Sequence, residues 1–358
     1  MRFFLILFFM TAAISAKTQN LAAFSDYKNY FFVFDDGKIM QEEYMPVKSF
    51  QVGGNAIAYI DNSSSFKVYY KGETVPLEDW FMPKYVATDY LIVFALGQRL
   101  KVFDNGKTTL LANYAESYYA ADSLVSFYDL LSQSFKVYYK GKIITLEDAL
   151  DEPPVKNFKT GDNILAYVNH INEFKLFYRG AAFTQTTIDE PLPYEAGKNI
   201  VAYYDERYPG FRAFYKGSTY DLEGFPPKSM VAADDMVAYI ALNGELKVFY
   251  DGKTTTIASF EPSFYKVEDS IIVFTEQNYF KAFYKGKIYT LENYTPSDFH
   301  IDFNTIAYLD QQGRLKAFYN GQVIVIANEK INQFRLYRNV ITYKIFNTNY
   351  VYYKSKIY

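Results

Sequence analysis

The sequence predicts an all-β chain, a β-propeller of about ten four-stranded, blade-like repeats of about 35 residues each. Three observations predict it. An aromatic segment ending in glycine returns at a near-constant interval along the whole chain. The strands inside each repeat are apolar on both parities. Proline is concentrated between one repeat and the next.

The recurring segment is clearest as Phe66-Lys67-Val68-Tyr69-Tyr70-Lys71-Gly72, which returns as Phe135 to Gly141, Phe211 to Gly217 and Phe280 to Gly286. Looser copies end at Gly37, Gly106, Gly180, Gly252 and Gly321, and a last copy has Ser355 where glycine is expected. The interval is 34 to 39 residues throughout. Ten copies fill the chain after its first residues, with no linker or second kind of domain between them.

Within a copy the first strand is short, as in Val86-Ala87-Thr88, and a turn with Asp or Asn follows, as at Asp89, Asp235 or Asp269, where the side chain can bond to local backbone. The second strand is apolar almost throughout, as in Ala56-Ile57-Ala58-Tyr59. The third is the aromatic segment, and its glycine, often after Asp or Asn, is hairpin chemistry. The fourth follows directly, as in Lys142 to Leu146. Most prolines, among them Pro46, Pro83, Pro154, Pro227, Pro262 and Pro296, fall after the fourth strand, where a residue without an N–H suits a crossing loop. Strands buried on both faces read as continuous apolar runs, and radially packed four-strand meanders bury them that way. A β-solenoid is the alternative, but its repeats are usually shorter and lack these hairpins.

Ile306-Ala307-Tyr308-Leu309-Asp310-Gln311-Gln312-Gly313, followed by Leu315-Lys316-Ala317-Phe318-Tyr319, resembles the WD-like propeller repeats of bacterial periplasmic Tol-system proteins. The resemblance covers the repeat across the chain. It implies the fold and assigns no functional residue.

Copies alternate in type, apart from the copy around Gly180, with Arg179 and Thr186, and the first, with Glu43. Lys71, Lys140, Lys216 and Lys285 precede the glycine in copies with Glu78, Glu147, Glu223 and Glu292 six residues after it; Ala112, Ala258 and Ala327 fill that position in copies with Asn105, Asp251 and Asn320. An alternating array closes without mismatch only with an even number of copies. A single ring of ten is therefore expected ahead of two rings of five or an open array, although the first copy lacks its first strand and the last has a shortened fourth.

The chain opens with Arg2, an apolar run from Phe3 to Met10 and small residues to Ala16, the pattern of a secretory signal peptide. Residues 1–16 are expected to be removed, leaving 17–358 as one repeat domain in the periplasm or outside the cell. No later run reaches the roughly twenty apolar residues of a membrane span. The absence of cysteine removes disulfides, thiolate chemistry and a bacterial lipid anchor. A net charge of −3 argues against nucleic acid. No cofactor is implied, and two histidines, His170 and His300, are too few for a His-rich metal site.

No catalytic residue stands out. The repeated Glu78, Glu147, Glu223 and Glu292 read as a blade-to-blade contact. The basic series Lys67, Lys101, Lys136, Lys175, Arg212, Lys247, Lys281 and Lys316 reads as stems lying on aromatic surface with heads turned to water or carboxylate. Loops after the second and fourth strands emerge at one end of each blade, and they hold the candidate binding residues Trp80, His170 and Tyr208. The function expected is a non-enzymatic binding or scaffold module whose loop rim takes a protein or glycan. The alternative is a propeller hydrolase acting on carbohydrate, with Glu195, Glu268 and Asp302 as the acidic residues of the inner strands.

Overall fold

The computed structural model describes residues 20–80, 82–148, 154–188 and 193–358. The expected signal peptide lies outside the described residues. Ten antiparallel sheets follow one another along the chain, each formed by consecutive strands. Blade 1 holds β1 (Leu21–Ser25), β2 (Phe31–Asp35) and β3 (Lys38–Glu43). Blade 2 holds β4 (Ser49–Val52), β5 (Ala56–Ile60), β6 (Phe66–Tyr70) and β7 (Glu73–Glu78), in that order across the sheet. Blades 3 to 10 repeat the pattern over 84–112, 115–148, 155–187, 194–223, 229–258, 265–292, 299–327 and 333–357.

Burial follows strand position. In blade 2 the innermost β4 alternates exposed and half-buried, β5 is buried at every residue, β6 is buried or half-buried, and β7 is mostly half-buried. The second and third strands are thus sandwiched between neighbouring blades, as their doubly apolar sequences require. Alanines at the middle of the second strand, Ala58, Ala166, Ala202, Ala238 and Ala307, are fully buried and let adjacent sheets approach, while the tyrosine after each of them fills the space beside it.

The hairpin between third and fourth strands has two residues with positive φ in every blade. Asp36 and Gly37 (44° and 100°), Lys71 and Gly72 (52° and 87°) and Lys354 and Ser355 (47° and 61°) are examples. This is the type I′ geometry whose twist matches the strands it joins, and it explains the near-invariable glycine. One residue before the lysine series, the third-to-fourth ladder slips in blades 1 to 9, as between Phe66 and Lys67 or Phe280 and Lys281. The slip leaves one residue of the outer strand out of register, and in blades 3, 7, 8 and 9 it is a buried Leu111, Ile257, Leu291 or Ile326. These β-bulges were not read from the sequence.

The ten blades close one ring. Phe34, Val340, Val351 and Tyr353 form a buried cluster between blades 1 and 10. Tyr353 Oη donates to Asp36 at 2.7 Å, and the Phe34 ring lies 5.5 Å from Tyr353 and 5.3 Å from Tyr358. Among the described residues no strand is shared: blade 1 has three strands and blade 10 has four, the last only Lys356–Ile357.

Candidate binding rim

The meander sends its loops to two ends of the ring. One end carries the I′ hairpins and the hub turns between innermost and second strands. The hub turns touch backbone to backbone: Asp234 N–H donates to Asp269 C=O at 2.8 Å and Lys198 N–H to Ala233 C=O at 3.2 Å. Gly161 is glycine because a Cβ there would sit 1.9 Å from Gly197 O. Asp89, Asp122, Asp162, Asp234 and Asp269 gather at this hub with Asp302, and Lys198 and Arg338 are their counter-charges: Lys198 pairs with Asp234 at 3.2 Å, and Arg338 with Asp89.

The other end carries the second-to-third loops and the crossing loops between blades, and it is tipped with exposed apolar side chains. Tyr44, Trp80, Phe225 and Phe260 stand on crossing loops; Leu131, Tyr208, Leu242 and Phe346 stand on second-to-third loops. Trp80 is 82% exposed and Phe346 85%. Both have φ in the left-handed region, 67° and 51°, where a bulky residue is an outlier and costs about 1–3 kcal/mol. Shallow cavities open between these loops. One of about 200 Å³ is lined by Phe225, Pro227 and Leu242, and one of about 440 Å³ by Arg99, Tyr114 and Leu131.

Of the three expected binding residues, Trp80 and Tyr208 stand exposed on this rim. His170 is half-buried, with a buried Nδ1 that meets no described partner. His170 and Tyr208 belong to neighbouring blades 5 and 6, and Trp80 to the crossing from blade 2 to blade 3, so the three do not form one pocket. The sequence pointed to the single tryptophan, a histidine and one loop tyrosine and not to Phe225, Phe260 and Phe346. Their signal was position alone, an aromatic in a loop that the strand pattern assigns to this end.

The expected blade-to-blade role of the glutamates is what the geometry shows. Glu147 accepts from Lys175 at 2.6 Å and Tyr167 Oη at 3.0 Å, both in the next blade; Glu292 does the same with Lys316 at 2.7 Å and Tyr308 Oη at 3.0 Å. After Ala112, Thr186 and Ala258, which stand where the glutamate would be, the next blade supplies its own carboxylate: Lys136 pairs with Asp129 at 2.7 Å, Arg212 with Asp205 at 3.3 Å, and Lys281 with Glu276. All eight cations of the series carry a carboxylate, which leaves no free anion-binding belt. The inner acids are engaged separately, Glu195 by Lys159 at 2.5 Å, Glu268 by Lys266 at 2.5 Å, and Asp302 by the Arg338 N–H at 2.8 Å.

A family model described as the 10-bladed beta propeller domain matches residues 15–358. The chain belongs to that family. The propeller is also similar to solved structures at low identity. The computationally designed Ika8 protein shares 14% identity over 94% of this chain and 99% of its own, with a TM-score of 0.37. The CRINKLY WD40 ectodomain of the receptor kinase ACR4 from Arabidopsis thaliana shares 10% over 66% and 92%, with 0.34. PorZ, a surface component of the type-IX secretion system of Porphyromonas gingivalis, shares 9% over 92% and 56%, with 0.27. No curated protein sequence matches the propeller. Among its described residues no cluster of three or more His, Cys, Asp or Glu could hold a metal ion, and no helix is long and apolar enough to cross a membrane.

Proposed function

We propose that this propeller is a non-enzymatic binding or scaffold module, exported from the cytoplasm, that engages a partner through its apolar loop rim. The observation that carries the reading is one-sidedness. Large exposed apolar side chains cluster on the loop end, whereas the hub end presents charged turns. Exposed apolar side chains gathered at one end of a rigid scaffold suit an interaction site, and Trp and Tyr are common energetic anchors there. Leu131 and Leu242 among the aromatics suit a protein partner better than a glycan, which stacks on aromatic faces between polar groups. Export rests on the leader pattern, Arg2 followed by the apolar run Phe3 to Met10 and small residues to Ala16.

The test is a triple variant, Trp80→Ser, Phe260→Ser and Phe346→Ser, beside a control with Lys71→Ser and Lys140→Ser at the opposite end. Cross-linking in the native cell envelope is expected to lose the partner with the rim variant alone. Retention by the rim variant, or turnover of a polysaccharide by the purified chain, overturns the reading.

A further inference from the structure

Among the described residues blade 1 has no innermost strand of the kind the other nine blades have, and the open side of its sheet faces blade 10 and blade 2 near the apolar rim. β1 pairs with β2 on one side only. Asn20 C=O accepts from Asp36 N–H at 3.3 Å on the β2 side, so the alternation of a strand turns the N–H and C=O of Leu21, Ala23 and Ser25 toward the empty side. Two of those carbonyls are occupied: Tyr337 Oη donates to Ala23 O at 3.4 Å and Asn349 Nδ2 to Ser25 O at 3.1 Å. The N–H groups of Ala23 and Ser25 meet no described acceptor.

Beside this edge lies a cavity of about 220 Å³, with Phe50 of blade 2 on one wall and Phe334 and Arg335 of blade 10 on the other. The Arg335 guanidinium stands 5.5 Å from the centre of the Phe50 ring and spans the mouth. Arg335 and Lys344, both lining the cavity, have no described carboxylate within ion-pair distance, unlike the eight marker-strand cations.

We propose that this slot takes an extended segment of a partner protein, added as a strand to β1, with an acidic side chain set against Arg335 and Lys344. The proposal rests on the rim reading and names what part of the partner is gripped. Free main-chain donors at two-residue spacing select an extended backbone, and the unpaired cations select its charge.

The test uses the chain as purified from the exporting cell and two capped pentapeptides of alternating threonine and valine, one with a central glutamate and one with a central lysine. Amide exchange at Ala23 and Ser25 is expected to be fast without peptide and to slow about tenfold or more as the glutamate peptide saturates. The lysine peptide is expected to bind several-fold more weakly, and Arg335→Glu, on an exposed side chain, to reverse that order. Slow exchange before any peptide is added overturns the proposal, because the slot is then filled by the chain itself or by a second copy. Equal binding of the two peptides, or binding that leaves both amides fast, overturns it as well. In those cases the rim variants decide the other question: a partner still lost with the triple variant leaves the rim reading standing and removes only the strand addition.

Discussion

At the hairpin tips a lysine or arginine occupies the left-handed region, which side chains other than glycine, asparagine and aspartate avoid. The neighbour explains it. Lys71, Lys140, Arg179, Lys216, Lys285 and Lys354 each hold their charge 4.6 to 5.1 Å from the ring centre of the preceding tyrosine. A cation–π contact of about 0.5–1 kcal/mol at an exposed site offsets the backbone cost. Asp36, Asn105, Asp251 and Asn320 tolerate the same conformation through their own side chains. Core aromatics obey a different rule. Phe135 and Phe280 are buried between blades, against Phe158 and Tyr167 and against Phe299 and Tyr308. Truncating either to alanine is expected to cost about 3–5 kcal/mol, whereas Trp80→Ala at an exposed position is expected to change stability by less than about 0.5 kcal/mol. Denaturant midpoints of the three variants check this. A loss with Trp80→Ala as large as with the phenylalanines makes Trp80 part of the core and removes it from the rim.

The blade is the unit in which the sequence and structure can be compared most directly. Strand number, order and the I′ hairpins were legible because each depends on local pattern: Phe66 to Gly72 encodes a doubly buried strand and its turn within seven residues. The ring closure was only half legible. Alternation favoured an even number of blades, but the packing of Phe34 against Tyr353 and Tyr358 joins residues more than three hundred positions apart and has no local signature. The bulge beside the lysine series was hidden because the same extra residue sits in each of the first nine blades and so leaves no irregularity in the repeat. The rim was legible as a place and not as a set of residues, since Phe260 and Phe346 look like core residues until their exposure is seen. The glutamate bridge tests blade-to-blade coupling. Burial, and then the Glu147 carboxylate, hold the Tyr167 hydroxyl well above its usual range. Glu147→Ala leaves Tyr167 Oη and Lys175 without their shared acceptor, and a loss of about 1–3 kcal/mol is expected. A double-mutant cycle with Lys175→Met checks it: additive losses mean that the pair is not coupled.

Across the whole ring, the hub concentrates charge at one point. Burial, with Asp302 and Asp234 adding to it, pushes the Asp269 carboxyl from the usual 3.8 up to about 8; burial and then the Arg338 N–H, Asp89, Arg338 and Glu268 leave Asp302 at about 6. Burial and neighbouring carboxylates also raise Asp122 and Asp162, with Lys198 pulling the other way. These groups bind a proton more tightly folded than unfolded. Their contribution is therefore fully present below the ordinary carboxylate pKa and is lost as pH rises through about 6 to about 8. The carboxylates of Asp61, Asp129 and Asp310, held down by lysine or arginine partners, act in the opposite sense and lose their contribution only in acid. The denaturant midpoint is expected to fall between pH 5 and pH 9, and Asp269→Asn to flatten that fall; a midpoint that rises over the interval contradicts the assignment.

A propeller whose last strand completes its first blade must keep an unfinished sheet waiting until synthesis ends. Here every blade is one uninterrupted stretch of chain, and the first is already complete in its own terms at Glu43. A chain emerging from a narrow pore, amino end first, can thus set each blade as it appears and dock it on the one before. Only the meeting of blade 1 with blade 10, Phe34 with Tyr353 and Tyr358 among its contacts, must wait for the final residues. The ring therefore closes by a plain butt joint, two finished sheets set face to face with no strand passed from one to the other among the described residues.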